Sequence, residues 1–185
     1  MNTEALERPL PKPSMEDYIN ARLLEALIEA RLALEFLGKG LVRNAAGKAF
    51  QAWRALLAAL LRLELDKLIQ VARTEEERNW LVNRAVPRVP TTRMVRLSQM
   101  LEEVGHERLS FITDRALNLH DYQYNGPDPD LALSKFRDRQ EAATAVISLI
   151  RELIKRIEEL KGRVKWNEEL EKALKELKDL LGVPS

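Results

Sequence analysis

Hydrophobic residues recur along most of this chain at intervals of three or four positions, a spacing that places them on one face of an α-helix. One such series spans residues 19–34, and the last consists of Leu170, Leu174, Leu177 and Leu181. Polar and apolar residues alternate over the length of a β-strand nowhere in the sequence. The pattern predicts an all-α fold: an up-and-down helical bundle of about four main helices with an appended C-terminal helix.

Composition along the chain divides it into three predicted regions. Three of the eight prolines lie in residues 1–14, and because proline does not fit inside a helix, this segment is predicted to be an extended lead-in. Residues 15–163 carry the helical pattern and form the predicted bundle. Residues 164–185 form the predicted C-terminal helical extension.

Three segments of the bundle have predicted helix bounds that matter for function. Alanine and leucine occupy several faces of residues 41–65, which predicts a central helix packed on more than one side. A second helix is predicted from about residue 106 to residue 121. Asp128 followed by Pro129 matches the start of a helix, so the longest helix is predicted to run from there to Gly162.

Composition and charge exclude several classes of protein. The 45% hydrophobic and 32% charged residues indicate a globular chain, and the 30 basic and 29 acidic residues give no bulk signal for nucleic acid. Cysteine is absent, which excludes disulfides and thiol catalysis, and with only two histidines a metal site would depend on carboxylates. We therefore predict no metal and no other cofactor.

The sequence contains no signal for a membrane. Its longest run without a charged residue is nine residues, 142–150, whereas about 20 are needed to span a bilayer. The first residues show neither the apolar core nor the cleavage signature of a secretory signal. We expect a cytoplasmic protein without membrane contact.

The stretch "RALNLHDY", Arg115 to Tyr122, is the main candidate for chemistry because it contains one of the two histidines. At about 100° per residue, Arg115 and His120 lie about 140° apart around a helix, whereas Asn118 shares the side of Arg115. Within one continuous helix His120 is therefore expected to be a buried core residue. It forms a site with Arg115 only if the helix ends before His120 or if a second chain brings its own copy of this helix.

A dimer would be chemically suited to RNA cleavage without a metal. That reaction needs one group to take the proton from the 2′-hydroxyl and another to protonate the leaving 5′-oxygen. It also needs positive charge beside the phosphorane as it forms. Two chains related by a two-fold axis would supply two imidazoles and two guanidinium groups.

The spacing Arg115, His120 and Tyr122 reads R-x4-H-x-Y, and late in an all-helical domain it resembles the motif of the HEPN superfamily. The segment "GLVRNAAGKAFQAWRALLAAL" is similar to the second helix of the archaeal PaREP-type (type one) family, commonly placed with HEPN. The resemblance covers roughly residues 15–160. It implies a bundle that dimerises through the motif helix and, in active members, cleaves RNA without a metal, often as the toxin paired with a small nucleotidyltransferase antitoxin.

The resemblance also implies a role for each residue of the motif. Arg115 would stabilise phosphate charge, His120 would be the acid/base group, and Tyr122 would be the position that the antitoxin of some members modifies with AMP. Active members often have a polar residue directly after the arginine, where this chain has Ala116. Asn118 is the candidate to take the role of that polar residue.

A basic segment precedes the motif helix, since residues 78–101 contain five arginines and no acid. Either these side chains contact RNA phosphates or they cover a solvated helix face. The candidates for RNA contact are Arg84, Arg88, Arg93 and Arg96. The sequence thus predicts a HEPN-like homodimer that binds RNA and is a candidate metal-independent endoribonuclease. The alternative is a non-catalytic helical dimer or adaptor that partners a minimal nucleotidyltransferase.

Overall fold

A computed structural model describes residues 3–14 and 16–182, and in these residues it contains α-helices and short 3-10 and π-helical turns but no β-strand. The predicted all-α fold is confirmed. The α-helices are α1 Tyr18–Gly38, α2 Val42–Leu63, α3 Leu65–Val71, α4 Glu75–Trp80, α5 Val86–Arg88, α6 Met94–Glu103, α7 Leu109–Asn125, α8 Arg139–Leu160 and α9 Glu168–Leu181.

The helix α2 lies at the centre of the bundle. It packs against α1 along its length and also contacts α5, α6, α7 and α8. Its alanines are buried on several faces, which lets the backbones of neighbouring helices approach closely. Trp53 and Phe50 fill the space between α2 and its neighbours and are fully enclosed. The predicted central helix, packed on more than one side, is confirmed.

The C-terminal helix α9 packs against α1 and lies within residues 164–185, where the C-terminal helical extension was predicted. Asn167 caps it by accepting a hydrogen bond from the Leu170 backbone N–H at 2.9 Å. Leu170, Leu174 and Leu177 are at most 1% exposed and belong to the same hydrophobic core as the rest of the bundle.

The chain between α4 and α5 is a π-helical segment, Leu81–Ala85. Pro87 follows it, and because proline has no N–H, the regular ladder of helical hydrogen bonds is interrupted there. Two α1 side chains bind the carbonyls at this point: the Tyr18 hydroxyl donates to Val86 O and Arg22 Nη2 donates to Pro87 O, both at 2.8 Å.

The helix α7 begins at Leu109 rather than at about residue 106. Two further corrections concern the connection between α7 and α8. The helix α7 does not end at Asp121 but continues to Asn125, because Tyr122 is held in the core and Gly126, at a φ of 71°, provides the stop. The helix α8 begins at Arg139 rather than beside Asp128. The Asp128 carboxylate accepts backbone N–H groups of its own loop, the nearest being Leu133 N at 2.6 Å.

The predicted extended lead-in is corrected in one part, since Thr3–Leu6 forms a 3-10 helix. Ala5 and Leu6 pack against the core, which provides the contact that orders this turn. None of the helices in the described part of the chain combines the length and the apolarity needed to cross a membrane.

Candidate functional site

The motif helix α7 has a buried side and a solvent-facing strip. Leu109, Thr113, Ala116 and Leu119 are fully buried against α2, α6 and α8. The exposed positions form the opposite side of the helix, and Arg115 and His120 lie at its two edges. The helix is continuous through both residues, so the expected separation of about 140° holds in the structure.

Arg115 is exposed on the side of α7 that faces α8. Its Nη1 donates a hydrogen bond to Ser148 Oγ at 2.6 Å. An open groove of about 750 Å³ lies between the two helices at this point, and Asn118 also lines it. Phe111, one helical turn before Arg115, is 75% exposed at the edge of the same groove. The structure thus places Arg115 and Asn118 together, as their spacing predicted.

His120 lies on the other edge of the strip and does not line that groove. Its ring stacks on Phe50 of α2 with centroids 4.1 Å apart, and the Tyr124 ring meets it edge-on at 5.2 Å. The side chain is half-buried. Its Nδ1 is enclosed and has no hydrogen-bond partner among the described residues. His120 is therefore held between aromatic rings at the surface rather than inside the leucine core.

The surroundings of His120 favour its neutral form. Burial lowers the pKa of the imidazole from the ordinary 6.5, the Asp121 carboxylate opposes this effect, and the Arg54 guanidinium lowers the pKa further. At neutral pH the ring is consequently unprotonated and able to accept a proton.

Among Arg115, His120 and Tyr122, Tyr122 is the most enclosed, with 1% of its surface exposed. Its ring meets Phe136 edge-on with centroids 5.7 Å apart. Burial raises the pKa of its hydroxyl, while the charges of Arg139 and Arg43 act in the opposite direction. An enzyme that modified Tyr122 would therefore need the loop carrying Phe136 to separate from the end of α7.

The four arginines of the basic segment differ in their environment. Arg96 is half-buried and forms ion pairs with Glu103 at 3.3 Å and with Glu77 at 3.7 Å. Arg84, Arg88 and Arg93 are exposed and form no ion pair with a described residue. None of the four lines the groove beside Arg115.

The sequence reasoning missed an ionic cluster around Glu64, which is only 2% exposed. The Glu64 carboxylate lies 2.9 Å from His106 Nε2 and 2.7 Å from Lys67 Nζ, and it also pairs with Arg163. Burial alone would raise the pKa of Glu64, but hydrogen bonds from Lys67, Arg163 and His106 lower it to about 2. The single acid within the leucine-rich segment "LLRLEL", residues 60–65, was the available signal.

This cluster joins α3 and the junction between α2 and α3 to the connections that follow α6 and α8, and it has the character of a structural ion network. Across residues 3–14 and 16–182, no three His, Asp or Glu side chains come together in an arrangement that would hold a metal ion. Arg54, whose charge reaches His120, was also missed as a part of the site.

Comparison with known proteins identifies the family. The model of the Archaeal PaREP1/PaREP8 family matches residues 21–147, which include α2, the whole of α7 and the first part of α8. Neither a curated protein nor a solved structure matches the chain significantly. The match covers more than half of the chain, and the resemblance inferred from the second helix is confirmed: the chain belongs to the archaeal PaREP1/PaREP8 family.

Proposed function

We propose that the protein is a HEPN-like homodimer that binds RNA and cleaves it without a metal, at a site formed by Arg115 of one subunit and His120 of the other. The observation that carries the proposal is the position of His120. Its ring is half-buried at the surface and its surroundings favour the neutral form. Because Nδ1 is enclosed, Nε2 is the nitrogen that would exchange a proton with RNA.

The separation of the two residues is the reason for requiring two chains. Arg115 and His120 lie at opposite edges of the strip, so one subunit presents them to different surfaces. A second subunit packed on the strip would bring the edge of its own α7 beside the first. Phe111 and Tyr124, which are 75% and 64% exposed on α7, supply apolar surface for such an interface.

In this site the two side chains have separate roles. The neutral imidazole of His120 takes the proton from the RNA 2′-hydroxyl, because its lowered pKa leaves it unprotonated. The 2′-oxygen attacks the phosphorus to form a 2′,3′-cyclic phosphate, and water protonates the 5′-oxygen as its bond to phosphorus breaks. The Arg115 guanidinium, exposed beside an open groove, binds the phosphate and stabilises the charge that develops on it. Asn118 lines the groove on the same side and contributes an amide hydrogen bond. Arg84, Arg88 and Arg93 contact phosphates further along the RNA.

The experiment is a cleavage assay on a mixed RNA population in the presence of a strong chelator. We expect activity in the wild type and its loss, by about 100-fold or more, in both His120→Gln and Arg115→Ala. Arg73→Ala is the matched control for Arg115→Ala, because Arg73 is an exposed arginine in the loop between α3 and α4. Full activity in both motif variants would contradict the proposal.

Mixing the two inactive variants tests the arrangement across the dimer. A statistically mixed population contains dimers in which one subunit keeps Arg115 and the other keeps His120, so about a quarter of the wild-type activity is expected to return. If the site used both residues of one chain, no activity would return, because every subunit lacks one of them.

The alternative function is a non-catalytic helical dimer or adaptor, possessing the same interface and partnering a minimal nucleotidyltransferase. The buried Ala116 favours it, because the position after the arginine, often polar in active members, is fully enclosed here. Sedimentation that shows a dimer, together with the absence of chelator-resistant cleavage, would select this function. An antitoxin that modified Tyr122 would further require the enclosed hydroxyl to become exposed.

A further inference from the structure

The N-terminus of α2 has free hydrogen-bond donors that face a cavity. The first N–H groups of any α-helix lack partners within the helix, and a polar N-cap side chain usually accepts one of them. Here the N-cap is Leu41, which has no polar side-chain atom, and the first turn contains no acid. No described residue accepts the N–H groups of Val42, Arg43 and Asn44. Together with the dipole of a 22-residue helix, these groups favour an anion.

A cavity of about 310 Å³ opens at this end of α2, between the helix and the loop that follows α7. Its size falls at the lower end of the range for small-ligand pockets, about 300–1,000 Å³. The side chains of Arg43, Tyr122 and Arg139 line it together with the backbone of Gly40. The cavity shares no lining residue with the groove beside Arg115.

Two guanidinium groups are fixed at the cavity by carbonyls rather than by carboxylates. Arg139 Nη2 donates to Gly40 O at 2.5 Å, and Arg43 Nε donates to Gln123 O at 2.9 Å, with a second bond to Tyr124 O. Neither arginine forms an ion pair with a carboxylate of the described chain, so both positive charges stay available.

Asp138, which directly precedes Arg139 in the sequence, caps a helix. The Asp138 carboxylate accepts the N–H groups of Gln140 and Glu141 at 2.8 and 2.9 Å and so caps α8. Gly40 permits the approach of Arg139, since it has a φ of 71° and a Cβ at this position would lie 3.3 Å from Arg139 Nη2.

Tyr122 provides the second, independent observation. Its side chain is only 1% exposed, and its hydroxyl has no hydrogen-bond partner among the described residues. The residue lines the cavity together with Arg43 and Arg139, and the charges of these two arginines lower the pKa of its hydroxyl. The hydroxyl is not one of the fully enclosed polar atoms, so it opens to the cavity that the residue lines. An oxygen atom of a bound anion would pair with it.

We propose that the N-terminus of α2, Arg43, Arg139 and the Tyr122 hydroxyl together bind a phosphate group. Backbone N–H groups, two guanidinium groups and one hydroxyl offer more donors than a carboxylate could use, and they suit the several acceptor oxygens of a phosphate. The phosphate belongs either to a free phosphate or mononucleotide or to the end of an RNA strand.

Calorimetric titration at constant ionic strength tests the site with inorganic phosphate, AMP and adenosine. We expect inorganic phosphate and AMP to bind and adenosine not to bind. Arg139→Ala is expected to weaken phosphate binding about ten-fold or more. Arg137→Ala is the matched control. It removes an equal charge two residues before Arg139, and the Arg137 side chain does not line the cavity.

Tyr122→Phe keeps the ring and removes only the hydroxyl, so it is expected to weaken phosphate binding several-fold while the protein still folds. The proposal is wrong if the wild type does not bind inorganic phosphate, or if Arg139→Ala, Tyr122→Phe and Arg137→Ala bind it equally well. Thermal unfolding of each variant without phosphate shows that the comparison is made between folded proteins.

Two RNA probes distinguish the sources of the phosphate. Tighter binding of an oligoribonucleotide with a 5′-phosphate than of the same strand with a 5′-hydroxyl would assign the site to RNA ends. Equal binding of the two strands, with inorganic phosphate still bound, would assign it to a free phosphate or mononucleotide. Because inorganic phosphate is titrated without RNA, failure of this proposal leaves the cleavage proposal untouched.

Discussion

The imidazole of His120 stacks on the phenyl ring of Phe50, with the two ring centroids 4.1 Å apart. This contact ties the histidine of the motif to the central helix. It also encloses Nδ1, so the charged form of the ring is disfavoured on this side.

The first prediction concerns the titration of His120. Its pKa should lie below 6.5, because burial and the Arg54 charge outweigh the Asp121 carboxylate. Arg54→Gln should raise the pKa toward 6.5, and Asp121→Asn should lower it further. The measurement is the pH dependence of the imidazole signals in NMR, with His120→Gln used to assign them. A pKa above 6.5 in the wild type would contradict the account.

This lowered pKa also sets the sign of a stability effect. As the pH falls below 6.5, His120 is protonated in the unfolded chain before it is protonated in the folded one. Protonation of His120 therefore lowers the free energy of unfolding in this pH range. Above 6.5 both states are neutral at His120 and the effect is absent. Urea unfolding of the wild type and of His120→Gln across this range should show the difference only on the acid side.

The second prediction concerns the buried Glu64 carboxylate. Glu64→Gln removes the charge that His106, Lys67 and Arg163 share, and it should lower the free energy of unfolding by about 2–4 kcal/mol. Glu103→Gln is the matched control. Its partner is Arg96 and its side chain is 48% exposed, so a loss below about 0.5 kcal/mol is expected.

The same carboxylate predicts an acid transition. Its pKa is lower in the folded state, about 2, than the ordinary 4.5, so the folded state holds fewer protons and its stability falls as the pH drops from 4.5 to about 2. The loss attributable to Glu64 is on the order of 3 kcal/mol. Glu64→Gln should lack this component, which urea unfolding at a series of pH values would reveal.

The third prediction concerns a buried hydrogen-bond chain on the inner side of α7. Trp53 Nε1 donates to Thr113 Oγ1 at 2.9 Å, and Ser98 Oγ lies 2.7 Å from the same atom. Thr113→Val keeps the shape and leaves both partners unpaired, so it should lower the free energy of unfolding by about 1–3 kcal/mol. Thr144→Val, on the exposed side of α8, should change it by less than about 0.5 kcal/mol.

The fourth prediction concerns α9. Leu174→Ala removes a side chain that is 1% exposed and should lower the free energy of unfolding by about 2–5 kcal/mol. Leu180→Ala, on the outer side of the same helix where the leucine is 50% exposed, should have almost no effect. Chemical denaturation measures both values. If the two substitutions lower the free energy of unfolding by equally small amounts, α9 contributes little to the stability of the bundle.

The sequence predicted the helices with a strong local signal. The bounds of α9 follow from Asn167, which caps its first turn, and from leucines three and four positions apart. The angular separation of Arg115 and His120 also followed from spacing alone, because it depends only on a continuous helix.

The predicted helix start was wrong where one side chain could form either of two local hydrogen-bonding arrangements. Asp128 before Pro129 is a plausible helix cap, yet its carboxylate binds the backbone of its own loop, and Asp138 caps α8 instead. The pairing of Glu64 with His106 could not be predicted, because the two residues are 42 positions apart and meet only through the packing of the bundle.

The connection between α7 and α8 contains no helix or strand, but Asp128 makes it an ordered part of the molecule. Its carboxylate holds the N–H groups of Leu133 and Ser134 at 2.6 and 3.2 Å, and its own N–H donates to Phe136 O at 2.9 Å. These bonds keep the Phe136 ring on Tyr122. Proteolytic cleavage within residues 126–138 is therefore expected to depend on opening of the bundle rather than on local fraying of this loop.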